Sequence, residues 1–273
     1  MESTNPVFKR GYAAMGNRGS TATAVSPESL EEIYNAPAAS SMRTGRMTID
    51  DVVIRTSMLF AVLVVAGSLA WKLNLSAGFL FVGFIGALIL GMVNSFSAKV
   101  RPAFVIAYAA FEGLGLGVLS HYYNTAYPGI VSQAVLGTLA AFAGVLIAYR
   151  SKKVQVTPRF QRAMMGALVG YMVLGLVSMV AGFAGVGNGA GFYGVSGLGL
   201  LLAVAGVAFA SFFLILDFDQ ISKMIANGAP HEESWRAGFG LMVTVVWLYM
   251  EILRLISIPV SYTHLTLPTN REV

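Results

Sequence analysis

The chain has 273 residues, 56% hydrophobic and only 11% charged, with a mean hydropathy of +0.70. Soluble domains carry about 25% charged residues, so the composition excludes a water-soluble globule and points to an integral membrane protein. The net charge of +5 does not indicate a nucleic-acid partner, because many basic residues fall in short loops between apolar runs, where they report orientation. Cysteine is absent, which excludes disulfides and thiolate metal sites. The three histidines, His121, His231 and His264, are scattered. They offer no metal cluster and no Ser-His-Asp arrangement, so neither a cofactor nor an enzyme activity is expected.

Residues 1–46 are rich in Ser, Thr, Asn, Ala, Gly and Pro. They offer too little apolar surface to offset ordering entropy, and a disordered cytoplasmic tail is expected. The stretch has no apolar core of the kind that marks a cleavable signal peptide. Thr48-Ile49-Asp50-Asp51 then fits a capping box, with the Thr48 hydroxyl capping the first turn and Asp51 reaching back.

Seven apolar segments follow, at 52–71, 77–97, 103–123, 129–149, 163–183, 197–218 and 237–258. Each is near the roughly 20 residues needed to cross a hydrocarbon core. Lys and Arg set the orientation. With the N-terminus cytoplasmic, the tail holds Lys9, Arg10, Arg18, Arg43 and Arg46. The inside loops hold Lys99, Arg101, Arg150, Lys152, Lys153, Arg159, Arg162, Lys223 and Arg236, whereas the outside loops hold Lys72 alone. This is a positive-inside bias, and a multi-pass protein of the cell membrane is expected.

Small residues are frequent within the spans. Gly113, Gly115 and Gly117 share one segment, and Gly166 and Gly170 are four apart on another. In lipid such residues let helix backbones approach, so packing is the role expected of both sets. After Ile258 comes PVSYTHLTLPTNREV, which has two prolines and no continuing helix pattern. It resembles translated read-through of a sequencing adapter, and residues 259–273 are expected to be non-native.

Three acids lie inside apolar segments: Glu112, Asp217 and Glu251. An ionised carboxylate there costs about 2.5–3.5 kcal/mol on insertion scales, so it is paired, hydrated or used. Asp217 lies 10 residues before the turn between the last two spans, and Glu251 lies 18 after the start of the last helix, taken near Glu233. At 1.5 Å per residue those depths are about 15 and about 27 Å, so the two meet only with tilt or a partly re-entrant last segment. If they meet, two carboxylates in a low-dielectric site titrate as a coupled pair, which is a proton switch. Deprotonated, they form a weak oxygen site suited to Ca²⁺. The alternative is a buried clamp between helices. Arg55 and Arg254 are the candidate ion-pair partners, Arg254 being three residues from Glu251 on one helix face. Asp219 is either a solvated helix end or functional. Glu112, among small residues, either lines a pore or packs a helix interface.

Phe111-Glu-Gly113, Leu216-Asp-Phe-Asp-Gln-Ile221 and Trp247-Leu-Tyr-Met-Glu-Ile-Leu-Arg-Leu255, on seven short-looped spans, together resemble the transmembrane Bax inhibitor motif family. The branch is the bacterial Bax inhibitor-1/YccA-like one, and Met47-Thr-Ile-Asp-Asp-Val-Val53 resembles its actinobacterial members. The resemblance covers about residues 47–258. It implies an all-α membrane protein, a seven-helix bundle whose central C-terminal helix is wrapped by the other six. It also implies a pH-sensitive Ca²⁺ leak gated by an acid pair, which Asp217 and Glu251 match. Glu251 stands where the family commonly has aspartate. The loop between the two motifs is longer than in short bacterial homologues. The arginine that some relatives place in the second span is missing, with Arg55 as a substitute. Two other readings stand beside the leak: a non-conducting regulator of membrane proteases or stress responses, and a proton-coupled transporter.

Overall fold

The computed structural model describes residues 45–152, 156–189, 191–194 and 197–266, with backbone alone at 188–189 and 259–266. Seven of its helices are long and apolar enough to cross a membrane. They are α1 (Ile49–Lys72), α2 (Ala77–Phe96), α3 (Pro102–Ala126), α4 (Ile130–Arg150), α5 (Pro158–Phe183), α6 (Gly197–Ala226) and α7 (Glu233–Thr266). Two short 3₁₀ turns, Val186–Gly189 and Gly191–Tyr193, join α5 to α6. The chain is thus an all-helical, multi-pass membrane protein with the number of spans that its hydropathy predicts. Most of the expected tail lies outside the described residues.

Local chemistry sets the helix ends. The Thr48 hydroxyl accepts from the Asp51 amide at 3.3 Å, and the Asp51 carboxylate accepts from the Thr48 amide at 2.9 Å, completing the capping box. Asp50 and Asp51 occupy the first turn of α1 and Lys72 its last, each with the sign that the helix dipole favours. Helix α5 begins five residues before the expected 163, because Thr157 caps it through the Phe160 amide and Pro158 occupies its first position. Helix α6 runs past the apolar segment to Ala226, the extension on which the depth count of Asp217 rests. Its polar last turns are held by the Asp219–Lys223 ion pair at 2.5 Å. Gly228 then stops it, at φ +69°. The amides of Gly228 and Ala229 return to the carbonyls of Ile225 and Met224, which is a Schellman ending, and Pro230 prevents its continuation.

Two features mark the termini. The described residues begin at Gly45, within the last two residues of the expected tail. Met47 donates to the Ala229 carbonyl at 2.8 Å, His231 donates to the Gly45 carbonyl at 2.9 Å, and Arg46 and Pro230 form an antiparallel bridge. At the other end α7 passes Pro259 and continues to Thr266. A proline in a helix interior costs about 3 kcal/mol, which is a penalty and not a prohibition.

The bundle is organised around two helices. Buried residues make up 61% of the α7 span and 56% of the α3 span, against 33% or less in the others. The last helix is central, as the resemblance implies, but it shares that place with α3, on which α2 chiefly packs. The α3 glycines divide between two neighbours. A Cβ on Gly113 or Gly117 would overlap the α1 backbone at Leu63 and Gly67, and one on Gly115 would press on Phe84 of α2. Gly166 and Gly170 have no neighbour within 4 Å of a built Cβ. Among the described residues no helix packs on that pair, because α5 turns this face outward, with Met165, Val169 and Val173 exposed.

We refer to the end that holds Gly45 and the α6–α7 turn as the basic end. Lys72 and the 3₁₀ turns mark the opposite end.

Candidate functional site

The Glu251 carboxylate is enclosed from three helices. On its own helix, Trp247 lies four residues earlier and its indole N–H donates to Oε1 at 3.1 Å. From α5, the Tyr171 hydroxyl donates to the same oxygen at 2.6 Å. Arg254, three residues on, places a guanidinium nitrogen 2.8 Å from Oε2. That contact is a close ion pair whose angle falls outside hydrogen-bond alignment. From α6, Gly206 leaves the space that the carboxyl occupies, since a Cβ there would overlap the Glu251 carboxyl carbon. Glu251 is only 6% exposed, so the arginine and the two donors offset a desolvation penalty of several kcal/mol.

The cage has a lid at the opposite end. The Arg254 guanidinium stacks over the Tyr193 ring, 4.4 Å from its centre. Tyr193 also meets Tyr171 edge-on at 6.1 Å. The turn that carries Tyr193 is anchored on α5, where the Ser178 hydroxyl accepts from the Phe192 amide at 2.9 Å. Gly191 passes so close to Ser178 that no side chain would fit, and its φ of +62° suits glycine.

Asp217 occupies a different level. Its neighbour across the seam is Thr244 of α7. Its Oδ2 is buried and makes no hydrogen bond among the described residues. It lines a cavity of about 300 Å³ at the basic end, together with Gln220, Glu233, Arg236 and Gly240. Arg236 lies 3.3 Å from Glu233 and donates to the Ser97 carbonyl at 3.0 Å. From Thr244 to Glu251 is seven residues, or about 10 Å along α7. The two acids therefore lie in series along the α6–α7 seam, and no described hydrogen bond or ion pair joins them.

The remaining candidates lie apart. Glu112 is buried beside Tyr108 on α3. Tyr108 in turn meets Phe239 of α7 edge-on at 4.9 Å. Asp219 pairs with Lys223 at the basic end. Arg55 donates to the His231 carbonyl at 2.6 Å and lies 5.1 Å over Trp235, so its contacts are with the α6–α7 turn. His231 is also 3.2 Å from Asp51. Among the described residues no three His, Asp or Glu side chains converge as a metal site would require.

Sequence reasoning missed Tyr171, Gly206, Ser178 and Tyr193. Trp247 was within the motif and stands one helical turn from Glu251, a spacing that signals contact. The others come from different elements and carry no local signal that pairs them with Glu251.

A family model described as Bax inhibitor 1 like matches residues 5–260. The match reaches well before residue 47, where the motif resemblance begins. No curated protein matches the chain.

Proposed function

The chain belongs to the Bax inhibitor 1 like family, and on that premise we propose that it is a pH-sensitive Ca²⁺ leak of the bacterial inner membrane, with its N-terminus cytoplasmic. The carboxylates of Asp217 and Glu251 act in series, not as a touching pair. Asp217 receives the cation from the cavity at the basic end. Glu251 is the gate, closed while Arg254, Tyr171 and Trp247 occupy its oxygens. Protonating Glu251 removes the charge that holds Arg254 and shifts a two-state arrangement of α6 and α7.

The observation that carries this reading is the unpartnered, buried Asp217 oxygen on an open cavity, in the same seam as the closed Glu251 cage. Thr244 serves the carboxylate, but Oδ2 has no partner among the described residues, a cost that a purely structural acid would avoid. The orientation rests on the Lys and Arg bias, which places the loops of the basic end in the cytoplasm.

Proteoliposomes loaded with a Ca²⁺ dye test it. Flux is expected to depend on pH, to fall in Asp217→Asn and to lose its pH dependence in Glu251→Gln. Unchanged flux in both variants overturns the assignment. A non-conducting regulator is the second reading. The pairing of residues 45–47 with the α6–α7 turn favours it, since a partner of the tail would act on that turn. Truncation of residues 1–44 would then abolish the regulatory effect, and any flux through the protein would be unchanged by it.

A further inference from the structure

A second cavity, of about 470 Å³, lies between α1 and α4 in the opposite half of the bundle. Its floor includes Gly67, Gly113 and Gly117, where α1 and α3 approach so closely that side chains are excluded. Its rims include Val64, Val135 and Leu139, all outward-facing, at 58%, 44% and 60% exposure. The groove therefore opens sideways, toward the hydrocarbon that surrounds a spanning bundle.

Three of the polar side chains in the lining are already satisfied. Ser120 and Tyr249 hydrogen-bond each other at 2.7 Å, and Thr138 donates to the Ala134 carbonyl at 2.7 Å. A polar ligand would find few free partners along the groove, whereas an apolar chain would lose nothing by filling it. At the outer end the lining closes with Trp71 and Lys72. Lys72 is in none of the described ion pairs, and it is the basic residue that the sequence places in the loops of this end. Tryptophan and lysine are the residues that sit at a membrane's headgroup level. From Lys72 to Phe60, the inner limit on α1, is twelve residues, or about 18 Å. Half of a hydrocarbon core is about 15 Å, so the groove matches the depth of one leaflet.

We infer that this groove is a lipid site that holds one acyl chain of an anionic phospholipid from the adjacent leaflet, with the phosphate against Lys72. The glycine floor, made for helix contact, leaves the volume. The apolar rims select the chain, and the lysine selects the headgroup charge. The inference is independent of cation conduction, because the groove shares no lining residue with the Asp217 cavity or the Glu251 cage.

The test is photolabelling of the full chain in nanodiscs that contain phosphatidylglycerol with a diazirine in its acyl chain. Labelling is expected to concentrate on the rims at Val64, Val135 and Leu139. Val135→Trp, which fills the groove, should lower it severalfold. Val173→Trp, on the exposed face of α5, should leave it unchanged. Lys72→Gln should reduce labelling by phosphatidylglycerol toward that by an equally tagged phosphatidylcholine. Should the tryptophan variant fail to fold, Val135→Phe must show the same ordering. Uniform labelling of all outward faces overturns the site, as does indifference to the Val135 and Lys72 variants. A crosslink between two copies at these residues also overturns it, since it would assign the groove to a dimer.

Discussion

Arg254 stacks on Tyr193, its guanidinium carbon 4.4 Å above the ring centre, while a nitrogen of the same group lies 2.8 Å from Glu251. One side chain thus joins the most deeply enclosed acid of α7 to the turn between α5 and α6. Glu251 and the Tyr193 turn therefore share one partner.

Removing Arg254 leaves a buried carboxylate without its counter-charge. Arg254→Gln should destabilise the fold by about 3–5 kcal/mol, the cost of breaking a buried pair. The double variant with Glu251→Gln should recover much of that loss. A thermal-unfolding double-mutant cycle in detergent checks it, and additive effects would deny the coupling.

Gly206→Ala tests the packing of the cage. The added methyl overlaps the Glu251 carboxyl and crowds the Tyr171 hydroxyl, an overpacking cost of about 1–3 kcal/mol. Raised Ca²⁺ flux together with a lower melting temperature is the expected outcome. An unchanged crosslinking pattern between α5 and α7 cysteines would show that the cage had absorbed the methyl.

Tyr171→Phe removes one hydrogen bond to a charged group, worth about 1.5–3 kcal/mol, and retains the ring. If Glu251 is the proton switch, the pH of half-maximal flux moves while the maximal flux is kept. A profile that superimposes on the wild type would exclude Tyr171 from the switch.

Tyr193→Ala takes away the lid and leaves the cage oxygens with their partners. Leak at a fixed pH should rise severalfold, with the shape of its pH dependence preserved. Ser178→Ala should act in the same direction but less strongly, because it loosens the anchor of the turn through Phe192 and leaves the lid itself. Liposome flux across the three proteins ranks them.

Two glycine sets make a paired stability test. Gly113→Ala meets the backbone of Leu63 and should cost about 1–3 kcal/mol. Gly166→Ala meets nothing and should gain up to about 1 kcal/mol through helix propensity. Melting temperatures in one detergent should move in opposite directions.

The glycines also show how far sequence reaches. Spacing identified both sets as contact candidates, but only the tertiary arrangement turned one toward α1 and the other toward lipid. Local signals were read correctly where one element contains both partners, as with Thr48 and Asp51, or Glu251 and Arg254. The count of residues along the last two helices likewise placed Asp217 and Glu251 at unequal depths. What stayed hidden depends on contacts between elements far apart in the chain. Tyr171 is 80 residues from Glu251, and nothing in the α5 sequence distinguishes its hydroxyl from that of any other tyrosine. The Gly-rich stretch at 184–196 read as a connection, because a 3₁₀ turn is too short to show periodicity.

The pairing of Gly45, Arg46 and Met47 with Ala229, Pro230 and His231 has a mechanical meaning. The chain leading into α1 is clasped to the turn that joins the two acid-bearing helices. Residues 45–47 therefore tie the start of α1 to the turn between the two helices that line the Asp217 cavity.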